Sequence, residues 1–297
     1  MVPLRVKHFQ SIDLARFIAA FGVVAAHVFA SEKGWIGHLS LAAFLILTAF
    51  LSVQSMQRAG GLYDWGKRVS RILLPWVFWC VVYKIVLIRI TDAPQKYVLL
   101  TDPFSLLVGP FIHLWFLPFV LLASAFVAPA GRFVQSARAV QAGSAGLAVL
   151  GVVALWASVH FAMTPPFAQW LSAAPSFAYG LLAAFALTYG GWVWPLGAMG
   201  VLSGLSFLLT GDIWTLQPFV AALLLWAVWR VPLQARILPH LGQVTFGIYL
   251  THPFFLLVCY KLFGPAIDAW LALGLTFLMA WAATVGLRAT PLLRHMV

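Results

Sequence analysis

Ten apolar runs, each near the length of a membrane-spanning helix, constrain this sequence more than any other feature. A helix needs about 20 mainly apolar residues to cross the hydrocarbon core of a bilayer. The runs are residues 12–31, 36–56, 72–90, 105–127, 143–162, 174–190, 192–209, 216–230, 240–263 and 268–288. They predict an all-α, polytopic integral membrane helix bundle of about ten transmembrane helices. The number of spans between 174 and 230 stays open, because two short runs meet there at a Gly-Gly-Trp junction. We expect residues 1–297 to form a single membrane-embedded domain with no appended soluble domain.

The composition excludes other classes of protein. With 63% hydrophobic and 8% charged residues, the chain is too apolar for a water-soluble domain of 297 residues. Its net charge is +11, but the cations are scattered between apolar runs rather than gathered on one surface, so we expect no binding to nucleic acid. The two cysteines have no neighbours at metal-ligand spacing, and we expect no metal site.

Charged residues between the runs predict the orientation in the membrane. Alternate segments hold most of the cations, namely Arg5, Lys7, Arg16, Arg58, Lys67, Arg68, Arg71, Arg132, Arg138, Arg230, Arg236, Arg288 and Arg294. The opposite segments hold most of the acids, namely Glu32, Asp92, Asp102, Asp212 and Asp268. Because cytoplasmic loops of membrane proteins are enriched in Lys and Arg, both termini are predicted to be cytoplasmic.

The first apolar run carries a cation and an imidazole on one helical face. Arg16 and His27 are eleven residues apart, which is three turns, or about 16 Å along the axis. Arg16 can serve as an interfacial anchor. His27 is predicted to be buried past the middle of the helix, where an unpartnered imidazole is costly and a functional role is the default expectation. Ser31 and Glu32 are the nearest candidates to orient its ring, Ser31 being better placed on the face.

Three more polar groups stand in or beside apolar runs. Arg68 and Arg71 are one turn apart at the start of the third helix, where they either snorkel to the interface or form an anion site. His113 and Trp115 lie in the outer half of the fourth helix. His252 lies about halfway along the ninth helix. Three intramembrane histidines together favour a functional site over helix packing.

Four stretches together resemble acyltransferase family 3, a family of integral membrane acyltransferases. They are "IDLARF" running into Arg16 and His27, "RVSRILLP" with Arg68 and Arg71, "HLWFL" with His113 and Trp115, and "TFGIYLTHP" with Tyr249 and His252. Bacterial members mostly O-acetylate glycans. The resemblance implies transfer of an acetyl or other short acyl group from cytoplasmic acyl-CoA to a hydroxyl of a cell-surface or secreted glycan, or of its lipid-linked precursor. It also implies a multi-pass protein of the bacterial inner membrane.

The resemblance also implies roles for single residues. The histidine of the first helix, His27, is the essential catalytic residue, and the paired arginines are associated with the donor. We expect the catalytic residues to be His27 as general base, with His113 and His252. The residues expected to bind acetyl-CoA are Arg16, Arg68 and Arg71, and those expected to bind the acceptor are Trp115 and Tyr249.

Two other functions stay open at this point. A transporter or flippase of lipid-linked sugars would also place histidines and arginines inside a ten-helix bundle. In a structural or sensory subunit the same histidines would be polar contacts between helices. A homo-oligomer is possible, because the small residues of "GAMGVLSGLS" can pack helices within one chain or between two.

Overall fold

The computed structural model describes residues 9–29, 34–90 and 104–297. Several residues used above lie outside these ranges: Arg5, Lys7, Ser31, Glu32, Asp92 and Asp102. Within the described ranges the chain is helical and contains no strand.

Twelve α-helices follow one another along the described chain. They are α1 Gln10–Phe29, α2 Gly34–Arg58, α3 Trp65–Ile90, α4 Ser105–Val108, α5 Phe116–Ser124, α6 Val127–Phe133, α7 Ala137–His160, α8 Phe167–Tyr189, α9 Val193–Thr210, α10 Gln217–Val228, α11 Leu238–Phe263 and α12 Ala269–Ala289. Three 3₁₀ turns accompany them, at Ile112–Trp115, Ile213–Leu216 and Leu293–His295.

The predicted membrane bundle is confirmed, with corrections to its segments. Nine described segments are long and apolar enough to cross a bilayer, and the chain is a multi-pass membrane protein. The prediction of one continuous fourth helix over residues 105–127 is wrong. Gly109 breaks it at a positive φ of 79°, and the spanning segment is Ile112–Phe133. The two runs around the Gly-Gly-Trp junction are separate helices, α8 and α9.

The eighth predicted span, 216–230, is a shorter apolar segment, Ile213–Val228. Its four 3₁₀ residues and twelve α-helical residues extend about 26 Å. It nevertheless runs the length of its neighbour α9. The segment starts just after α9 ends, and the ring of Trp229, just after it, lies 3.9 Å from the ring of Trp192, just before α9 starts. This segment therefore returns the chain along α9 and adds a tenth, shorter pass to the nine candidate spans of the described residues.

The first and last spans share one end of the bundle, which we call the arginine end. The side-chain oxygen Oε1 of Gln10, where α1 begins, accepts a hydrogen bond of 2.8 Å from the backbone N–H of Ala235, just before α11. At the end of α12, Arg288 donates one of 3.0 Å to Oε1 of Gln243. Helices α1 and α11 therefore run in parallel, and α12 returns to the end where α1 began.

Small residues let the central helices approach closely. A Cβ on Gly180 of α8 would lie 2.3 Å from the backbone oxygen of Ile46 in α2, and one on Gly247 of α11 would lie 2.3 Å from Thr284 of α12. Small residues at such crossings are the usual way in which membrane helices pack, since lipid supplies no hydrophobic drive between them. This close packing fixes α2 and α11, which carry site residues.

Candidate active site

Three histidines from distant parts of the sequence form a cluster inside the bundle. His27 lies on α1, His113 in the 3₁₀ turn Ile112–Trp115, and His252 on α11. The ring centroids are 5.0 Å apart for His27 and His252, 5.6 Å for His113 and His252, and 6.5 Å for His27 and His113. All three histidines predicted as catalytic therefore meet at one place, the histidine cluster.

The residue after His252 explains how its ring is held. Pro253 has no N–H, so the helix cannot supply the usual hydrogen bond to the backbone oxygen of Tyr249, four residues earlier. Nδ1 of His252 occupies that position, 2.7 Å from the oxygen. Because a carbonyl only accepts, the neutral ring carries its proton on Nδ1, which leaves a lone pair on Nε2. Nε2 is buried and has no hydrogen-bond partner in the described part of the chain.

Two tyrosines fasten the rest of the cluster. The hydroxyl of Tyr249 donates a hydrogen bond to the backbone oxygen of His113, and the two rings are 5.7 Å apart. The hydroxyl of Tyr83, on α3, donates one of 2.5 Å to the backbone oxygen of Leu250 on α11. Its ring meets the ring of His113 edge-on at 5.2 Å. Sequence reasoning missed Tyr83, which no motif marks within its apolar run.

The three histidines differ in accessibility. His252 is fully buried and His113 is 6% exposed, whereas His27 is exposed. His27 lies past the middle of α1, as expected, and beside the two buried rings, but part of its own side chain is exposed. The ring lies two residues before the end of α1, on the side opposite the arginine end, and of the three imidazoles it is the exposed one.

A cavity of about 460 Å³ opens at the arginine end and contains the cations predicted to bind the donor. Arg16 of α1 lines it together with Arg68 and Arg71 of α3. Arg288 and Arg294 line it as well, although the sequence indicated only topology anchors at both positions. Nothing in the stretch "LRATPLLR" distinguishes a binding arginine from an interfacial one. We call this space the arginine cavity.

Polar neighbours hold several of these arginines in place. Nε of Arg68 lies 3.3 Å from the hydroxyl of Ser124, and Arg288 donates to both the backbone and the side-chain oxygen of Gln243. Nε of Arg294 lies 3.2 Å from Nε2 of His295. Among the described lining residues none is acidic. A cluster of guanidinium groups without a carboxylate in its wall suits a multivalent anion such as a phosphate ester.

The inner end of the arginine cavity adjoins the histidine cluster. Phe44, Phe116 and Tyr249 line that end. Since the hydroxyl of Tyr249 bonds to the backbone of His113, the side chain of Tyr249 connects the arginine cavity with the histidine cluster. The site is thus a single unit with cations at one end and histidines at the other.

Trp115 is the one predicted site residue that stands apart. Its ring is 7% exposed and packs edge-on against Phe116 at 6.3 Å and Phe119 at 6.1 Å. It does not line the arginine cavity and has no described ring contact with the histidines. Its expected role in holding the acceptor stays a prediction.

Clustered histidines are common metal ligands in proteins. Across residues 9–29, 34–90 and 104–297, no three His, Cys, Asp or Glu side chains are arranged to hold a metal ion. The polar groups that line the cavity and the cluster include imidazoles, a tyrosine hydroxyl at each of Tyr83 and Tyr249, and guanidinium cations.

Comparison with known proteins identifies the family of the chain. Residues 9–288 match the model of a family described as an acyltransferase domain, acyltransferase family 3. No curated protein matches the chain, and no solved structure matches it.

Proposed function

The chain belongs to acyltransferase family 3 and is an acyltransferase, and from that premise we propose its reaction. It transfers a short acyl group, such as acetyl, from coenzyme A to a hydroxyl of a glycan or of its lipid-linked precursor. The observation that carries the proposal is the continuity of the site. Five arginines line a cavity whose inner wall, Tyr249, is bonded to the histidine cluster.

The arginine cavity fits the nucleotide end of the donor. Coenzyme A carries a diphosphate and a 3′-phosphate, and guanidinium forks bind phosphate oxygens in pairs. Arg16 comes from α1, and Arg68 and Arg71 come from α3. Arg288 and Arg294 line the same cavity. We assign all five to the donor phosphates.

The spacing of the two ends fits the rest of the donor. Arg16 and His27 lie about 16 Å apart along α1, from the helical rise. The pantetheine arm that joins the phosphates of coenzyme A to its sulfur is a long and flexible chain of comparable reach. Phosphates at the arginines therefore place the thioester near the histidines.

The chemistry needs a base and a proton carrier. The acceptor oxygen attacks the thioester carbonyl carbon, a C–O bond forms, and His27 takes the hydroxyl proton. The C–S bond then breaks, and the protonated His27 returns the proton to the departing thiolate, which leaves as free coenzyme A. The lone pair on Nε2 of His252, in the nearest ring, is placed to stabilise the charged form of His27.

The distribution of charge assigns the two substrates to opposite sides. The positive-inside rule places the arginine end, with its arginines, in the cytoplasm, where acyl-CoA is made. His27 is exposed near the other end, so the acceptor approaches from outside the membrane. This arrangement suits a glycan or a lipid-linked sugar at the outer face of a bacterial inner membrane.

The testing experiment needs no knowledge of the acceptor. Acetyl-CoA binding and slow hydrolysis are measured on purified wild type, His27→Ala and the double variant Arg68→Ala/Arg71→Ala. General-base assistance is worth about 10² to 10⁴-fold, so His27→Ala should bind normally and lose that factor in turnover. The double arginine variant should bind at least about tenfold more weakly.

Two controls match these variants. Arg138 is an exposed arginine at the same end that does not line the cavity, and His160 is an exposed histidine at the end of α7. Arg138→Ala and His160→Ala should behave as wild type. Folded wild type that binds no acetyl-CoA would contradict the proposal and favour the flippase, which has no use for coenzyme A.

A further inference from the structure

We infer that three aromatic rings between the arginine cavity and the histidine cluster limit the size of the acyl group that is transferred. They belong to Phe44 of α2, Phe116 of α5 and Tyr249 of α11, and we call them the aromatic layer. The inference rests on the proposed function, because it concerns the path of the donor.

The three rings pack against one another and close the inner end of the cavity. Their centroids are 6.4 Å apart for Phe44 and Phe116, 6.1 Å for Phe44 and Tyr249, and 5.3 Å for Phe116 and Tyr249. Each side chain is at most 8% exposed, and all three line the cavity. An acyl group that enters with the donor therefore meets this layer before it reaches the histidines.

The members of the layer differ in how they are held. The hydroxyl of Tyr249 is tied to the backbone of His113, so the position of its ring is fixed by a hydrogen bond. Phe44 and Phe116 have no polar atom in the side chain and are held by packing alone. The two phenylalanine rings are consequently the parts that turn aside when the acyl group passes.

Because the donor is anchored at its phosphates, the aromatic layer limits the length of the acyl chain that fits. The phosphates are held at the arginines, so the thioester arrives at a fixed depth and the acyl carbons must fit at or beyond the rings. Each added methylene must displace a packed ring, and one methylene in an apolar pocket changes discrimination by about 10 to 200-fold. We therefore expect acetyl to be preferred, and removal of one ring to admit longer chains.

The experiment compares hydrolysis of acetyl-, butyryl- and hexanoyl-CoA by wild type, Phe44→Ala and Phe116→Ala. Both variants should raise the ratio of hexanoyl to acetyl turnover at least about tenfold, while the dissociation constant of free coenzyme A stays within about twofold. Where hydrolysis is too slow to follow, the ratio of the dissociation constants of hexanoyl- and acetyl-CoA is measured and should shift in the same direction.

Phe119→Ala is the matched control. Phe119 lies on α5, one turn after Phe116, is 6% exposed, and packs on Trp115, Trp170 and Phe177 without lining the cavity. It should leave the ratio unchanged. If an alanine variant fails to fold, Phe44→Leu and Phe116→Leu should shift the ratio in the same direction by less.

Three results would overturn the inference. They are a wild type that uses hexanoyl-CoA as readily as acetyl-CoA, layer variants that alter both rates equally, and a Phe119→Ala variant that shifts the ratio as much. Failure of the proposed function looks different, because folded wild type would then bind no acyl-CoA of any length.

Discussion

Among single residues, Pro253 determines which ring nitrogen of His252 carries the proton. By removing one backbone donor it frees the oxygen of Tyr249, and that oxygen fixes the proton of His252 on Nδ1. The dipeptide His-Pro is visible in the sequence, but its consequence depends on where the ring turns. The role that we propose for His252 therefore depends on a missing backbone donor as much as on the imidazole.

Pro253→Ala tests this use of the backbone. Alanine restores an N–H that competes for the oxygen of Tyr249, so the proton of His252 is no longer held on Nδ1. We expect turnover to fall at least about tenfold while the melting temperature stays the same or rises, since a proline inside a helix is destabilising. The measurements are acetyl-CoA hydrolysis and thermal unfolding. Full turnover in a folded variant would show that this hydrogen bond has no part in the reaction.

Most residues of the candidate site could be predicted from the sequence, but three of their neighbours in the structure could not. The three predicted histidines meet, and the three predicted arginines line one cavity: His27, His113 and His252, and Arg16, Arg68 and Arg71. They could be predicted because each belongs to a stretch with a recognisable pattern. Arg288, Arg294 and Tyr83 were missed, since an arginine at a helix end or a tyrosine in an apolar run has an ordinary structural explanation. Only the folding of α12 and α3 against the site reveals their positions.

Among the helices, a glycine at the crossing determines how closely α8 packs against α2. Gly180→Ala would bring a Cβ to 2.3 Å from the backbone oxygen of Ile46, which cannot move without shifting α2. We expect a loss of about 1–3 kcal/mol in the free energy of unfolding, as for other overpacked cores. Thermal or denaturant unfolding in detergent measures it.

Gly197→Ala on α9 is the comparison for that variant. A Cβ there meets nothing within 4 Å, so the gain in helix propensity should leave stability unchanged or raise it by about 0.5–1 kcal/mol. Equal losses for Gly180→Ala and Gly197→Ala would mean that the close approach of α8 to α2 does not matter.

Hydropathy predicted most spans because length and apolarity decide which segments cross a bilayer. It failed for 105–127, where a break at Gly109 and the 3₁₀ turn carrying His113 interrupt the apolar run. Neither feature changes the hydropathy, so a run of apolar residues cannot reveal it. The 3₁₀ turn that follows the break places His113 beside Tyr249.

At the scale of the whole molecule, the proposed reaction requires the arginine end to face the cytoplasm. Arg138 lies at that end, and Lys261 lies near the end of α11 on the opposite side, both exposed. We expect Lys261→Cys to react with a membrane-impermeant thiol reagent in intact cells, and Arg138→Cys to react only after permeabilisation. The reverse pattern would place the donor site outside the cell and contradict the proposed reaction.

A cryo-EM map of His27→Ala with acetyl-CoA bound would show the donor site and the reacting group together. The variant should retain the donor without consuming it. We expect density for the phosphates among the five arginines of the cavity, Arg16, Arg68, Arg71, Arg288 and Arg294. The pantetheine arm should pass the aromatic layer, and the thioester should lie at the histidine cluster. Phosphate density outside the arginine cavity, or a thioester that lies away from the histidines, would contradict the proposed reaction.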